Sequence, residues 1–236
     1  MPIPSVLVGI VTAETKDYCL KEFVQYVKSL TYPNLDCIVV DNSQNPNYWR
    51  KIDGMGLRTI HYTPKPGDTL RETLTNCSNI LRDKFLKGEY DFLFSLESDI
   101  FSATNIIQHL MYFKKQVVGI SYFLQSTYFS RLIPFETEDF GFLSISHTSH
   151  ANLAFCLADG QCKPTYQIGL GAILIHRSIL QRIKFRWDPD NEVKANADVW
   201  FHNDCRELGI PIFCDWGHFA FHYNGNWFKI MKKYKL

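Results

Sequence analysis

The stretch Tyr90-Asp91-Phe92-Leu93-Phe94-Ser95-Leu96-Glu97-Ser98-Asp99 decides how this chain is read. A short, aromatic-rich apolar run stops at two carboxylates one residue apart. Its length and near-continuous hydrophobicity predict a strand buried on both faces, as in a parallel sheet. Glu97 and Asp99 then stand at the C-terminal end of that strand. In an open α/β sheet this is the edge where ligands bind. Two carboxylates placed there repel each other unless a positive group lies between them. A hard divalent cation carrying a diphosphate would answer that repulsion.

The rest of the chain repeats the alternation of strand and helix. Val6–Val11 reads as a strand running into the polar loop Thr12-Ala13-Glu14-Thr15. Leu20, Phe23, Val24, Val27 and Leu30 follow at helical spacing. Asp36–Asn42 is a second strand ending on a carboxylate, Asp41, and 57–62 a third. Thr69 and Glu72 form a capping box for a helix striped by Leu70, Leu74, Cys77, Leu81 and Phe85. Ser102 is read as the cap of a helix carrying Ile106, Ile107 and Leu110. Further strands are expected at Val117–Leu124, Gly169–Ile175 and Pro211–Cys214, and helices at Arg177–Ile183 and Asp198–Leu208. This pattern implies an α/β fold: a mainly parallel sheet covered on both faces. Between Gln125 and about Gln167 the periodicity fades, and an irregular segment of that length is usually functional or mobile.

Bulk properties narrow the function classes. The 236 residues are 46% hydrophobic and 15% aromatic, enough for a substantial core. The net charge of +1 carries no general nucleic-acid signal. Seven cysteines are scattered without a CxxC pair, which argues against a zinc site and for a reducing, cytoplasmic setting. Cys156 and Cys162 are spaced so that they could pair, but free thiols are the preferred reading. Met1–Ser5 lacks a basic leader, and no apolar run approaches the ~20 residues of a spanning helix. The reading is of a soluble protein.

Four separated pieces line up with one pattern. They are the strand and loop Val6–Thr15 with Val39–Ser43; Glu97-Ser98-Asp99; Gly169-Leu170-Gly171-Ala172 running on to Leu180; and Asp198-Val199-Trp200-Phe201 running through Gly209-Ile210-Pro211 to Asp215 and His222. In this the chain resembles the GT-A-fold glycosyltransferases, in particular the family-2-like group that uses nucleotide-diphosphate sugars. The resemblance implies a single domain over 1–236. Residues 1–124 would form the nucleotide-sugar half, and 125–236 the acceptor half with a mobile loop at 125–167. Two departures stand out: Glu97 replaces the first Asp of the family's DxD motif, and Ala197 stands where many relatives have an acid.

The resemblance assigns roles, each set beside a simpler one. Asp99, with Glu97 and His222, would hold Mn²⁺ or Mg²⁺. The simpler reading of Asp99 is a loop acid or helix cap, and His218 competes with His222. Thr12, Glu14 and Asp41 would meet the nucleoside, although an Asx-turn also explains Asp41-Asn42-Ser43. Ser98 and Gly171 would line the donor site. Arg71 is a cation in the first turn of a helix, unfavourable to the dipole, which suggests an anionic partner or merely a solvated side chain. Asp198 would be the general base of an inverting transfer, or simply a carboxylate at a helix start. Trp200 would stack on a ligand or pack in the core. The expected partners are a nucleotide-diphosphate sugar and an acceptor hydroxyl on a glycan, lipid, protein or hydroxylated nucleobase in DNA. The 125–167 loop would cover both. The lysines and aromatics of 227–236 read as a solvated helix or an interfacial one. The alternatives are a non-catalytic nucleotide-sugar or glycan-binding protein, and a sugar nucleotidyltransferase.

Overall fold

In the computed structural model, which describes residues 2–125, 130–133, 161–190 and 196–223, Val6–Thr12 (β1) lies between two parallel neighbours, Leu35–Asp41 (β2) and Phe92–Glu97 (β4). Consecutive strand residues point to opposite faces. Val6, Leu7 and Val8 are nonetheless all fully buried, so both faces of the sheet are covered. That is why the strands read as continuous apolar runs.

The sheet order is β3-β2-β1-β4-β9-β6-β10-β5, with Thr59–His61 as β3, Ala172–His176 as β9, Val117–Gln125 as β6, Ile212–His222 as β10 and Ile100–Phe101 as β5. Ser130–Ile133 (β7) pairs with β6, and Cys162–Thr165 (β8) with β10. β9 runs antiparallel to both β4 and β6, while β10 is parallel to β6. Strands β1, β2, β3, β4, β6 and β10 therefore share one direction, and their C-terminal ends share one edge. This is the expected α/β architecture, with one reversed strand at its centre.

The helices are Leu20–Ser29 (α1), entered through a 3-10 turn at Glu14–Cys19, then Tyr48–Gly54 (α2), Leu70–Lys87 (α3), Ile106–Tyr112 (α4), Arg177–Leu180 (α5) and Ala197–Glu207 (α6). α3 is capped as its sequence requires: the Glu72 N–H donates to Thr69 Oγ1 at 3.2 Å. Ser102 is not the cap of α4. Asn105 holds that position without a side-chain bond, and Ser102 Oγ is instead 2.6 Å from Tyr26 Oη. α5 stops at Leu180, short of the expected Ile183. β10 runs eight residues beyond Cys214, carried across polar Asp215 and His218 by a break in its pairing with β6. α2 and β5 lie outside the expected pattern.

Six cysteines, Cys162 included, are free thiols; Cys156 lies outside the described residues. So do 126–129 and 134–160, where most of the expected covering loop falls, and the 227–236 tail. Strands β7 and β8 belong to the segment whose periodicity fades. Among the described residues no helix is long and apolar enough to cross a membrane.

Candidate functional site

The ends of β1 and β4 and the start of α6 frame a cavity of about 410 Å³. Its floor is apolar, built from Val11, Leu81, Leu93 and Leu96. Its rim is polar: Thr12, Lys16, Asn42, Arg71, Glu97, Ser98, Asp99 and Asp198 all line it.

Asp99 is the most constrained of these. It is fully buried, and its Oδ2 accepts from Tyr18 Oη at 2.9 Å, from His222 Nε2 at 3.2 Å and from Lys16 Nζ. Its Oδ1 is buried and has no partner among the described residues. Burial alone would raise its pKa, but the hydrogen bond and charge of His222, together with Lys16, hold it well below the usual carboxylate range. His222 responds in kind. Burial pushes its pKa down, yet Asp99 and Glu97 win, and the net shift is upward.

Backbone contacts fix this corner. The Tyr223 N–H donates to the Asp99 carbonyl at 2.6 Å, and β10 pairs His222 with Ile100. Thr12 Oγ1 donates to Ser98 Oγ at 2.9 Å, tying the end of β1 to the acidic motif. Glu97 is exposed to the cavity, yet walls crowd it closely enough that its surroundings desolvate it. Burial first, and then the neighbouring Asp99, raise its pKa. Ligand atoms of Glu97, Asp99 and His222 all lie within 4.8 Å of one another.

Gly171 explains why Glu97 can sit there. A Cβ on Gly171 would stand 2.4 Å from Ile100 Cδ1 and 3.0 Å from Glu97 Cδ. A side chain there would force Ile100 and the Tyr122 hydroxyl, 2.9 Å away, to shift. The Glu97 N–H donates to the Gly171 carbonyl at 2.9 Å, and the Gly171 N–H reaches Tyr122 Oη at 3.3 Å.

Asp198 enters the cavity from the first turn of α6. Its Oδ1 accepts from the Val199 N–H at 2.9 Å. Burial raises its pKa, with that backbone bond acting against it. One turn on, fully buried His202 donates through Nδ1 to the Asp198 carbonyl at 2.6 Å. Desolvation pushes the His202 pKa down to about 3, so the ring is neutral. Trp200 sits under the Arg186 guanidinium, 4.2 Å from the ring centroid.

The remaining expected residues are more scattered. Asp41 is fully buried and turned inward. Its Oδ1 accepts from the Ser43 N–H at 3.1 Å and from Ser43 Oγ at 2.5 Å, and its Oδ2 faces His61 Nδ1 at 2.8 Å. Asn42, not Asp41, reaches the cavity wall. Glu14 is exposed beside a separate shallow depression near Asp17 and Lys51, and its N–H donates to Ser43 Oγ at 2.7 Å. Arg71 lines the cavity, with Nε donating to Asn196 Oδ1 at 3.0 Å.

Sequence reasoning overlooked Lys16, Tyr18 and Tyr122. The first two lie in a turn whose polar residues look like ordinary surface. Tyr122 looks like one more strand aromatic. Burial, and next the charge of Glu97, raise its pKa well above the usual value, so its hydroxyl stays protonated.

The donor set fits a divalent cation. Two carboxylates and an imidazole suit Mn²⁺, and Asp99 Oδ1, without a partner among the described residues, is an acceptor that a cation would satisfy.

No protein-family profile and no curated protein sequence matches the chain. Solved structures do. GalNAc-T7 with UDP, GalNAc and Mn²⁺ is 13% identical with a TM-score of 0.64, over 93% of this chain and 44% of that one. S. aureus TarS 1–349 in complex with UDP-GlcNAc is 13% identical at 0.58, over 94% and 59%. A197 from STIV is 14% identical at 0.50, over 93% and 86%. The fold is thus of the GT-A type, and the chain spans about half the length of the first two structures.

Proposed function

We propose that this chain is a GT-A glycosyltransferase that moves a sugar from a nucleotide-diphosphate sugar to an acceptor hydroxyl. The observation that carries the reading is the convergence of Glu97, Asp99 and His222 at the sheet edge, beside a cavity that Asp198 enters from the other side. The neighbours crystallised with UDP and UDP-GlcNAc support a uridine diphosphate sugar as the first donor to test.

Asp99, Glu97 and His222 are the residues that would hold Mn²⁺ or Mg²⁺. Bound there, the ion would neutralise the leaving diphosphate. Lys16 and Arg71 add positive charge on the same rim. Thr12, Ser98 and the Gly171 backbone shape the donor subsite. Asp41 and Ser43 hold the loop that faces the nucleoside, and Glu14 extends that loop. Asp198 accepts the proton of the acceptor hydroxyl in an inverting displacement. Its raised pKa makes it a stronger base than a solvated aspartate, at the cost of a smaller ionised fraction at low pH.

The Lys16–Asp99 ion pair favours a second reading, in which Lys16 itself meets the diphosphate and no metal is needed. A thermal-shift panel of nucleotide sugars with and without Mn²⁺ separates the two. Stabilisation by UDP-sugar that requires Mn²⁺ and disappears in Asp99→Ala supports the metal-dependent enzyme. Metal-independent stabilisation lost in Lys16→Met supports the second reading. Binding with no turnover across an acceptor panel would leave a nucleotide-sugar-binding protein.

A further inference from the structure

A second group of metal-ligating side chains lies away from the cavity. Asp215 and His218 belong to β10, and His109 to the middle of α4. His109 Nε2 is 2.8 Å and His218 Nδ1 2.9 Å from the same oxygen, Asp215 Oδ2. The imidazole rings lie 3.6 Å apart, centroid to centroid. All three ligand atoms fall within 4.8 Å of one another.

Residues three apart on a regular strand face opposite sides of the sheet. Asp215 and His218 converge because β10 breaks register here: Asp215 pairs with Ile120, but Phe219 pairs with the very next residue of β6, Ser121. Such irregularities re-aim side chains and collect at functional sites. Inside the bulge, the Gly217 N–H donates to Asp215 Oδ1 at 2.9 Å. That bond orients the carboxylate and leaves Oδ2 for the two histidines, the arrangement outer-shell groups give to metal ligands.

We infer that His109, Asp215 and His218 form a site for a zinc-class divalent cation. Two imidazoles and one carboxylate suit Zn²⁺, with water as the fourth ligand. Ligands on a tetrahedral ion at ~2.1 Å stand about 3.4 Å apart, so each histidine–Asp215 Oδ2 separation need open by only about half an ångström, while the two rings must spread further from their 3.6 Å centroid spacing. Asp215 is 1% exposed, but His109 at 27% and His218 at 36% leave a path for the ion and its water. The site would join α4, which follows Asp99 through β5, to β10, which ends at His222. It therefore ties the helix that follows the Asp99 turn to the strand that carries His222, and none of its three residues lines the cavity.

Co²⁺ and Zn²⁺ titration of chelator-treated protein tests this. One Co²⁺ should bind with the visible absorption of a tetrahedral centre, and Zn²⁺ should displace it. The signal should persist in Asp99→Asn and vanish in the His109→Gln/His218→Gln double variant. The partly exposed His218→Gln alone should weaken Zn²⁺ at least ~10-fold, a loss that even outer-shell changes can reach, while the protein still melts cooperatively. Absence of Co²⁺ binding, loss of the signal in Asp99→Asn, or undiminished affinity in His218→Gln would overturn the inference.

Discussion

The two clusters on β10 share one plan and differ in composition. Each is built around a fully buried aspartate approached by imidazole nitrogen: Asp99 by His222, and Asp215 by His109 and His218. The first adds a second carboxylate and a lysine, and it opens on a cavity at the C-terminal sheet edge. The second adds another imidazole and a backbone donor, and it sits within a strand. Hard ligands at an open edge suit an exchangeable cation bound with a phosphate-bearing substrate. Two imidazoles set within the sheet, away from the cavity, suit a resident one. Place in the sheet, as much as ligand chemistry, separates the two.

The largest effect expected from breaking this comparison is at Asp198. Asp198→Asn should lower kcat by about 10²–10⁴-fold while metal-dependent donor stabilisation persists. Single-turnover kinetics beside thermal shift would measure both, and an unchanged kcat would remove Asp198 as the base. For the native protein, kcat should fall as pH drops through the raised pKa of that carboxyl, because only its ionised form accepts a proton.

Gly171→Ala comes next. Its Cβ must displace the Ile100 side chain and crowd the Tyr122 hydroxyl and the Glu97 carboxyl, so a loss of about 1–3 kcal/mol is expected in urea unfolding. Asp99-dependent Mn²⁺ binding should weaken with it, while the His218 cluster is spared. A change that strikes both clusters equally would show that they are one unit.

His202 supplies a pH test independent of either cluster. Its folded pKa, about 3, lies below the unfolded value near 6.5. The unfolded chain therefore binds the extra proton between those limits. The contribution is fully present above pH 6.5 and is lost as pH falls below it, at up to about 1.4 kcal/mol per unit. Melting curves between pH 7.5 and 5.5 should show this loss, and His202→Phe should flatten it.

The smallest effect concerns Lys16. In the absence of donor it competes with a cation for Asp99 Oδ2. A partly exposed pair of this kind contributes about 1 kcal/mol or less. Lys16→Met should thus tighten Mn²⁺ binding by no more than about fivefold in calorimetry, and the same change should weaken diphosphate binding.

Much of the first cluster was legible because strand periodicity places it. The run Phe92–Leu96 has one natural reading, and whatever follows it stands at the strand end. Asp41 was legible as a strand-end carboxylate, but not in its orientation: Ser43 and His61 take both oxygens, as the turn chemistry of Asp41-Asn42-Ser43 allowed. Lys16 and Tyr18 were not legible, since nothing local distinguishes them from surface residues. The second cluster was hidden for a different reason. His109 and Asp215 are 106 residues apart, and a regular strand would put His218 on the wrong face.

By itself, then, the sequence determined the alternation of buried strands and helices and the shared edge on which Asp41 and Glu97 end. These follow from periodicities of two and 3.6, which are properties of neighbouring residues. Only the tertiary structure decided that β9 runs against its neighbours, that Lys16, Tyr18 and His222 meet on one oxygen of Asp99, and that a break in β10 gathers His109, Asp215 and His218. Those outcomes depend on which strands pair and in what register, and pairing is chosen by the burial of the whole sheet rather than by any segment of it.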